Sequence, residues 1–279
     1  MTKLLAMPSS DNIESLKPYA DGFLFGICDW SVNTPFNISL EKLKKIKDNC
    51  ENKEIFVSLN KNIYSYELQA LEKILLQLEK ININGIFYAD TCLIQLKKKL
   101  HLKTPLIWAQ EHLTTNYETI NFWKKYGVSG TYLSPEITLE EIKEIRNHTK
   151  VKLFVPIFGY MPMFTSKRHI IKNYLDHFKL DSKSNIYYMK KEGYSYPIVD
   201  NTEGTVAYTP NVVNGFEEYL NLDVDYVTLN SFDINPENFI KILKIYKEKN
   251  LEEAKTINQL ISNLDKGFLY KETIYKVKR

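Results

Sequence analysis

A chain of 279 residues with 44% hydrophobic and 25% charged residues holds enough apolar material for one large α/β domain or two small ones. A formal net charge of +3 makes no demand for a nucleic-acid partner, and three widely spaced cysteines, Cys28, Cys50 and Cys92, exclude a disulfide framework and fit a reducing compartment. No window is apolar for long enough to span a membrane, and the run in MTKLLAMPSS is too short for a signal peptide, so a cytoplasmic protein is expected.

Short apolar runs alternate with amphipathic segments along most of the chain. KLLAMP reads as a strand and IESLKPYA as a short helix. DGFLFGI is a second strand, followed by the helix SLEKLKKIKDNC with Ser39 as its N-cap. KEIFVSLN then precedes SYELQALEKILLQLEKI, whose apolar residues recur three and four apart. GIFYAD with CLIQLKKKL, PLIWAQ with NYETINFWKKYG, and GTYLSPE with TLEEIKEIRNH continue the rhythm, Gly127 serving as a C-cap. KLFVPIF with SKRHIIKNYLDHF and, later, DYVTLNS with NPENFIKILKIYKEK complete eight strand–helix units. Strands separated by helices at this spacing predict a parallel sheet, and eight units in so short a chain predict a closed (β/α)8 TIM-like barrel over residues 1–250. Residues 181–210 break the rhythm with polar–apolar alternation around Glu192-Gly193 and Glu203-Gly204, which predicts a β-hairpin insertion after the seventh helix. Residues 251–279 read as a tail packed on the barrel, with a short strand in DKGFLYKETIYKVKR.

A barrel of this kind carries its site where the strands end at their C-terminal edge. Here those ends carry Ser9 and Ser10, Gly26, Cys28 and Asp29, Asn60, Asp90, Gln110 and Glu111, Glu136, Gly159 and Tyr160, and Asn230. Strand-to-helix loops are polar in any case, and Asp or Asn caps helices, but a polar residue at nearly every strand end points to a ligand site. Asp90 and Glu136, expected across the barrel mouth from each other, are the acid–base candidates. Arg168, one of three arginines in a lysine-rich chain, offers a planar fork for an anionic group. No G-x-G-x-x-G, phosphate loop, G-x-S-x-G or H-E-x-x-H occurs, and His169 and His177 have no metal-ligand spacing, so no metal is expected. Cys28 is expected to be a small buried thiol. The lysine-rich runs KLKKIK and KKKLHLK fall on helical patterns and read as solvated faces, and the many tyrosines as core residues or stacking surfaces for bases.

The order VSLNKN, YELQALEKILLQLEKININGIFYAD and PLIWAQEHLTTNYETINFWKKYGVSGTYLSPEITLEEI resembles the U-thirty-two, or collagenase-like, peptidase family. The later YSYPIVDNTEGTVAY resembles that family's inserted hairpin and GFLYKE its closing segment. The resemblance covers essentially the whole chain and carries over Asn60, Asp90, Gln110, Asn116, Glu136, Gly159, Ser166 and Arg168. Two departures stand out: Phe158-Gly159 replaces the family's His-Gly, and His169 stands where a cysteine often follows the Ser-Arg pair. None of the three cysteines occupies a cluster-ligand position, so no cofactor is expected, an iron–sulfur cluster included. The resemblance implies a factor for oxygen-independent hydroxylation of RNA that binds a small anionic donor near Arg168 and has tRNA as partner. It also implies two alternatives: a peptidase in which Asp90 or Glu136 activates water, and a degenerate barrel that only binds. Asn60, Gln110, Asn116, Tyr160, Ser166, Arg168 and Asn230 are the expected binding residues.

Overall fold

The structure, a computed structural model, describes residues 1–50, 52–110 and 112–271. In chain order come β1 (Lys3–Met7), β2 (Gly22–Ile27), the two-residue β3 (Asn37–Ile38), α1 (Leu40–Asp48), β4 (Glu54–Leu59) and α2 (Leu68–Ile81). Then follow β5 (Gly85–Tyr88), α3 (Cys92–Lys99), β6 (Leu106–Trp108), α4 (Tyr117–Lys125), β7 (Gly130–Tyr132), α5 (Leu139–His148) and β8 (Lys152–Gly159). The later part contributes β9 (Pro162–Ser166), α6 (Ile170–Phe178), β10 (Tyr187–Lys191), β11 (Tyr194–Asn201) and β12 (Gly204–Tyr208). It ends with β13 (Val212–Asn214), α7 (Phe216–Tyr219), β14 (Tyr226–Asn230), α8 (Pro236–Glu248) and β15 (Leu264–Asp265) among its elements.

Eight of these strands pair in parallel in the order β1, β2, β4, β5, β6, β7, β8, β14, and β14 returns to β1 with Met7 opposite Asn230. The ring is therefore closed, and the expected (β/α)8 barrel is what the chain forms. Alternate strand positions point inward, so Leu5, Met7, Leu24, Phe56, Phe87, Ile107, Phe154 and Tyr226 meet in a core inside the ring. Phe154 and Tyr226 stack there at 4.2 Å and 1°, with Phe56 set edge-on to both. The barrel is thus packed with aromatic rings and is no pore. A second, larger core lies between the strands and the outer helices, where Leu71, Leu75 and Leu78 form the buried stripe of α2.

The helix ends follow the local signals. Ser39 caps α1 by accepting from Lys42 N, and Gly127, at φ +85°, follows the end of α4. Thr138 and Glu141 form a reciprocal capping box on α5. Thr138→Ala is expected to cost about 1 kcal/mol, lowering the midpoint of a thermal melt by about 2–4 °C.

Three expectations need correction. IESLKPYA forms consecutive turns, not a helix: Pro18 brings no N–H, and the segment is too short to sustain a helix by itself. Its apolar residues Ile13, Leu16 and Ala20 are nonetheless buried. The helix in SKRHIIKNYLDHF does not cover the barrel; α6 has no buried residue and packs on β11 and β12. The short α7 instead seals the crossover from β8 to β14, with Phe216 and Tyr219 buried against Tyr246. The insertion also begins earlier than expected. β9 precedes α6 and joins an antiparallel sheet ordered β10, β11, β12, β9, so the hairpin region is part of a four-stranded unit.

Of the tail, β15 pairs in parallel with β13, and Leu269 is buried with its carbonyl accepting from Leu139 N. The strand expected in DKGFLYKETIYKVKR needs correction over its first half: β15 ends at Asp265 and residues 267–270 form a turn around Gly267 at φ +55°, while the remainder beyond Lys271 lies outside the described residues. Among the described residues no helix is long and apolar enough to cross a membrane.

Candidate functional site

The C-terminal ends of the barrel strands meet beneath the inserted sheet. At the barrel axis only about 50 Å³ is open, lined by Met7, Tyr132, Pro156, Phe158, Thr228 and Asn230 among others. That is room for one or two water molecules, so any larger ligand sits to the side of the axis. The polar groups there are mutually engaged. Tyr132 Oη lies 2.9 Å from Thr228 Oγ1, and Asn230 accepts from Phe232 N and donates to the Tyr160 carbonyl.

Four contacts pin the inserted sheet over the mouth. Asn201 Nδ2 donates to the Val32 carbonyl, and Tyr188 Oη donates to Asp233 Oδ2 at 2.7 Å. Tyr208 stacks on Phe232 at 3.9 Å. The fourth is ionic: Lys61 Nζ lies 2.8 Å from Glu67 and 3.1 Å from Glu203, and 4.7 Å from the Trp30 ring centroid. All three side chains are largely buried. Burial by itself would lower the ammonium pKa of Lys61, but the bonds from Glu67 and Glu203 outweigh it and raise it. Burial likewise opposes ionisation of Glu67, and Lys61 together with the Tyr64 N–H more than offsets it, so its carboxyl titrates below the ordinary range.

Two recesses flank this roof. A polar one of about 70 Å³ is lined by Val32, Asn60, Lys61, Thr165, Ser166 and Lys167, among others. A wider cleft of about 250 Å³ includes Glu136, Met161, Met163, Tyr196, Phe268 and Lys271 in its lining. Glu136 sits there with His112 Nδ1 at 3.6 Å from its Oε1.

The candidate residues fall into distinct surroundings. Asn60 accepts from Val32 N and donates to Asn33 Oδ1, tying the β4 loop to the β2 loop. Asp90 accepts from Ile63 N at 3.2 Å and from Cys92 N at 2.9 Å, which ties the β4 loop to the β5 loop. Glu136 lines the wide cleft; Asp90 is not among its lining residues. The Gln110 carbonyl accepts from Leu113 N and Thr114 Oγ1, and its neighbour Glu111 lies outside the described residues. Asn116 is the exposed N-cap of α4. Tyr160 is buried with its hydroxyl accepting from Asn263 Nδ2, and burial pushes its pKa up. Ser166 accepts from Arg168 N, while the Arg168 carbonyl accepts from Thr205 Oγ1. The backbone at Arg168 is thereby fixed while its side chain is exposed. Among the described residues no carboxylate forms an ion pair with it.

Cys28 is exposed, against expectation: β2 ends at Ile27, and Asp29 adopts φ +66°, which turns the chain outward at the strand end. Cys92 is pushed up to about 12 by burial and by Asp90, so its thiol stays protonated and a poor nucleophile. The three cysteines sit after β2, after α1 and at the head of α3, and His169, at the family's cysteine position, is the N-cap of α6. Among the described residues no three His, Cys, Asp or Glu side chains gather in a way that could hold a metal ion. These thiols do not fit an iron–sulfur cluster.

Sequence reasoning missed Lys61, Glu67 and Glu203, and it missed His112. A lysine beside a strand-end asparagine gives no signal of burial; only the convergence of distant loops reveals it.

With this geometry in hand, comparison with known proteins is informative. The profile described as Peptidase family U32 matches residues 14–249. The protein named tRNA hydroxylation protein P2 of Bacillus subtilis (strain 168) is 24% identical over 305 aligned residues, covering 98% of this chain and 99% of that protein. The protein named tRNA hydroxylation protein P1 of the same organism is 24% identical over 122 residues, covering 44% of this chain and 29% of that protein. The chain thus spans nearly all of the first and under a third of the second. A solved U32 peptidase has a TM-score of 0.48 at 15% identity, over 58% of this chain and 70% of that one.

Proposed function

The chain belongs to Peptidase family U32, and on that premise we propose that it is a cytoplasmic factor for oxygen-independent hydroxylation of tRNA. The observation that carries this reading is similarity along nearly the whole chain to a protein named for tRNA hydroxylation.

In this reading Arg168 receives the anionic group of a small donor. Its backbone is held by Ser166 and Thr205, so the exposed guanidinium is carried from a fixed point at the edge of the roof. Glu136, paired with His112 beside the wide cleft, moves the proton. Asp90 and Asn60 act one step back by holding the loops that frame the mouth. Tyr160 and Asn230 set the floor. Gln110 and Asn116 shape the β6 loop and the start of α4.

The decisive measurement is mass spectrometry of tRNA nucleosides from cells with and without the gene. Loss of a hydroxylated nucleoside on deletion, restored by wild-type chain, is the expected result. Arg168→Ala and Glu136→Gln are each expected to restore less than about a tenth of it, the usual size of a lost acid–base or charge-clamp contribution. An unchanged nucleoside profile sinks the proposal. The Glu136–His112 pair would then favour a peptidase, checked by chelator-sensitive peptide cleavage that fails in Glu136→Gln.

A further inference from the structure

The loop that follows β4 carries two exposed tyrosines, and it is held more firmly than exposed loops usually are. Tyr64 is 40% and Tyr66 78% exposed, yet their rings stack at 5.7 Å and 13°. Four bonds fix the loop beneath them. Tyr64 N donates to Glu67 Oε2, Glu67 pairs with the buried Lys61, Ile63 N donates to Asp90, and Asn60 accepts from Val32 N. From the inserted sheet, Lys167 Nζ reaches to 3.7 Å from the Tyr64 ring centroid. Among the described residues no carboxylate pairs with Lys167 within ion-pair distance. Two stacked aromatic rings beside the barrel mouth, with Lys167 over the Tyr64 ring and within electrostatic reach of Glu67 and with Tyr66 open to water, match the chemistry of a nucleotide: a flat base to stack and a phosphate to contact.

We propose that Tyr64 and Tyr66 form a stacking platform for an unpaired base of an RNA loop, with Lys167 contacting the adjoining phosphate. This rests on the tRNA reading above and deepens it by naming the surface that engages the RNA. A paired helix would present no free base face to Tyr66, so the platform selects single-stranded segments. The pre-ordered rings lose little freedom on binding, which places the affinity in Tyr66.

The test is fluorescence anisotropy with a labelled RNA hairpin bearing an unpaired loop, against the same strand annealed to its complement. The wild-type chain is expected to prefer the hairpin. Tyr66→Ala is expected to weaken hairpin binding roughly 10-fold or more, with duplex binding unchanged, and Tyr66→Trp to retain it. Lys167→Ala is expected to flatten the dependence of log affinity on log salt by about one contact. Equal binding by Tyr66→Ala and wild type overturns the proposal, as does absent hairpin binding or no preference over duplex. Tyr66 is exposed, so its loss leaves the fold intact, which a matching thermal melt confirms. Nucleoside mass spectrometry separates the two claims. If wild type restores hydroxylation and Tyr66→Ala binds RNA as well as wild type, the platform fails while the function stands. If deletion leaves nucleosides unchanged but Tyr66→Ala loses hairpin binding, the function fails while the platform stands.

Discussion

Gly159→Ala is expected to destabilise the barrel by roughly 2–6 kcal/mol and to lower the yield of soluble protein. Gly159 ends β8 with φ +114°, a backbone conformation that an L side chain adopts only under strain. A Cβ added there would press into the Asn230 carbonyl oxygen and stand 2.7 Å from Asn230 Cβ. Both obstacles belong to β14, the strand that closes the ring, and neither is the far end of a flexible chain. The strain and the overpacking each contribute about 1–3 kcal/mol. The damage reaches the roof as well, because Asn230 anchors Phe232 N and Phe232 stacks on Tyr208. Chemical denaturation of the purified variant measures the loss. A midpoint equal to wild type would show that β8 and β14 can separate freely, contrary to this packing.

Lys61→Met is expected to cost about 3 kcal/mol, because it leaves Glu67 and Glu203 facing each other without their shared cation. The figure sits at the low end of the range for a broken buried pair, since both carboxylates keep an edge on water. Replacing all three by Lys61→Met, Glu67→Gln and Glu203→Gln is expected to regain most of the loss, which a truncated packing contact would not do. The pH dependence follows from Glu67. Its folded-state pKa lies below the unfolded value, so the stability it contributes is present above the ordinary carboxylate pKa and is lost as pH falls through the depressed one. The deficit of Lys61→Met relative to wild type should therefore be full near neutral pH and shrink on acidification below about pH 4.5. Thermal melts of both proteins across that window decide the matter; a deficit that does not change with pH would assign the loss to packing alone.

The parts of the fold that were legible are those whose signal is local. GIFYAD reads as a strand because four apolar residues run together before a polar end, and it is β5. SYELQALEKILLQLEKI reads as a helix because its leucines recur at helical spacing, and α2 buries that stripe. β9 was illegible: Pro162 to Ser166 are largely exposed, and among the described residues they pair with β12, about forty residues later. The amphipathic pattern of α6 was legible, but which sheet it would meet was not. The site divides the same way. Asp90, Glu136, Asn60 and Arg168 were visible as polar residues at strand ends or helix starts. Lys61 looked like any loop lysine, because its partners Glu67 and Glu203 lie six and 142 positions away.

The eight barrel strands, and the helices α1 to α5 and α8 between them, were determined by the sequence alone, because apolar runs and the 3.6-residue period are written in neighbouring residues. Which strand-end side chains meet was decided by the tertiary structure. Closing β14 onto β1 and laying the inserted sheet over the mouth bring together loops that no local pattern relates. Those contacts made Asp90 a tie between loops, put Glu136 beside His112, and left Tyr66 and Arg168 facing water.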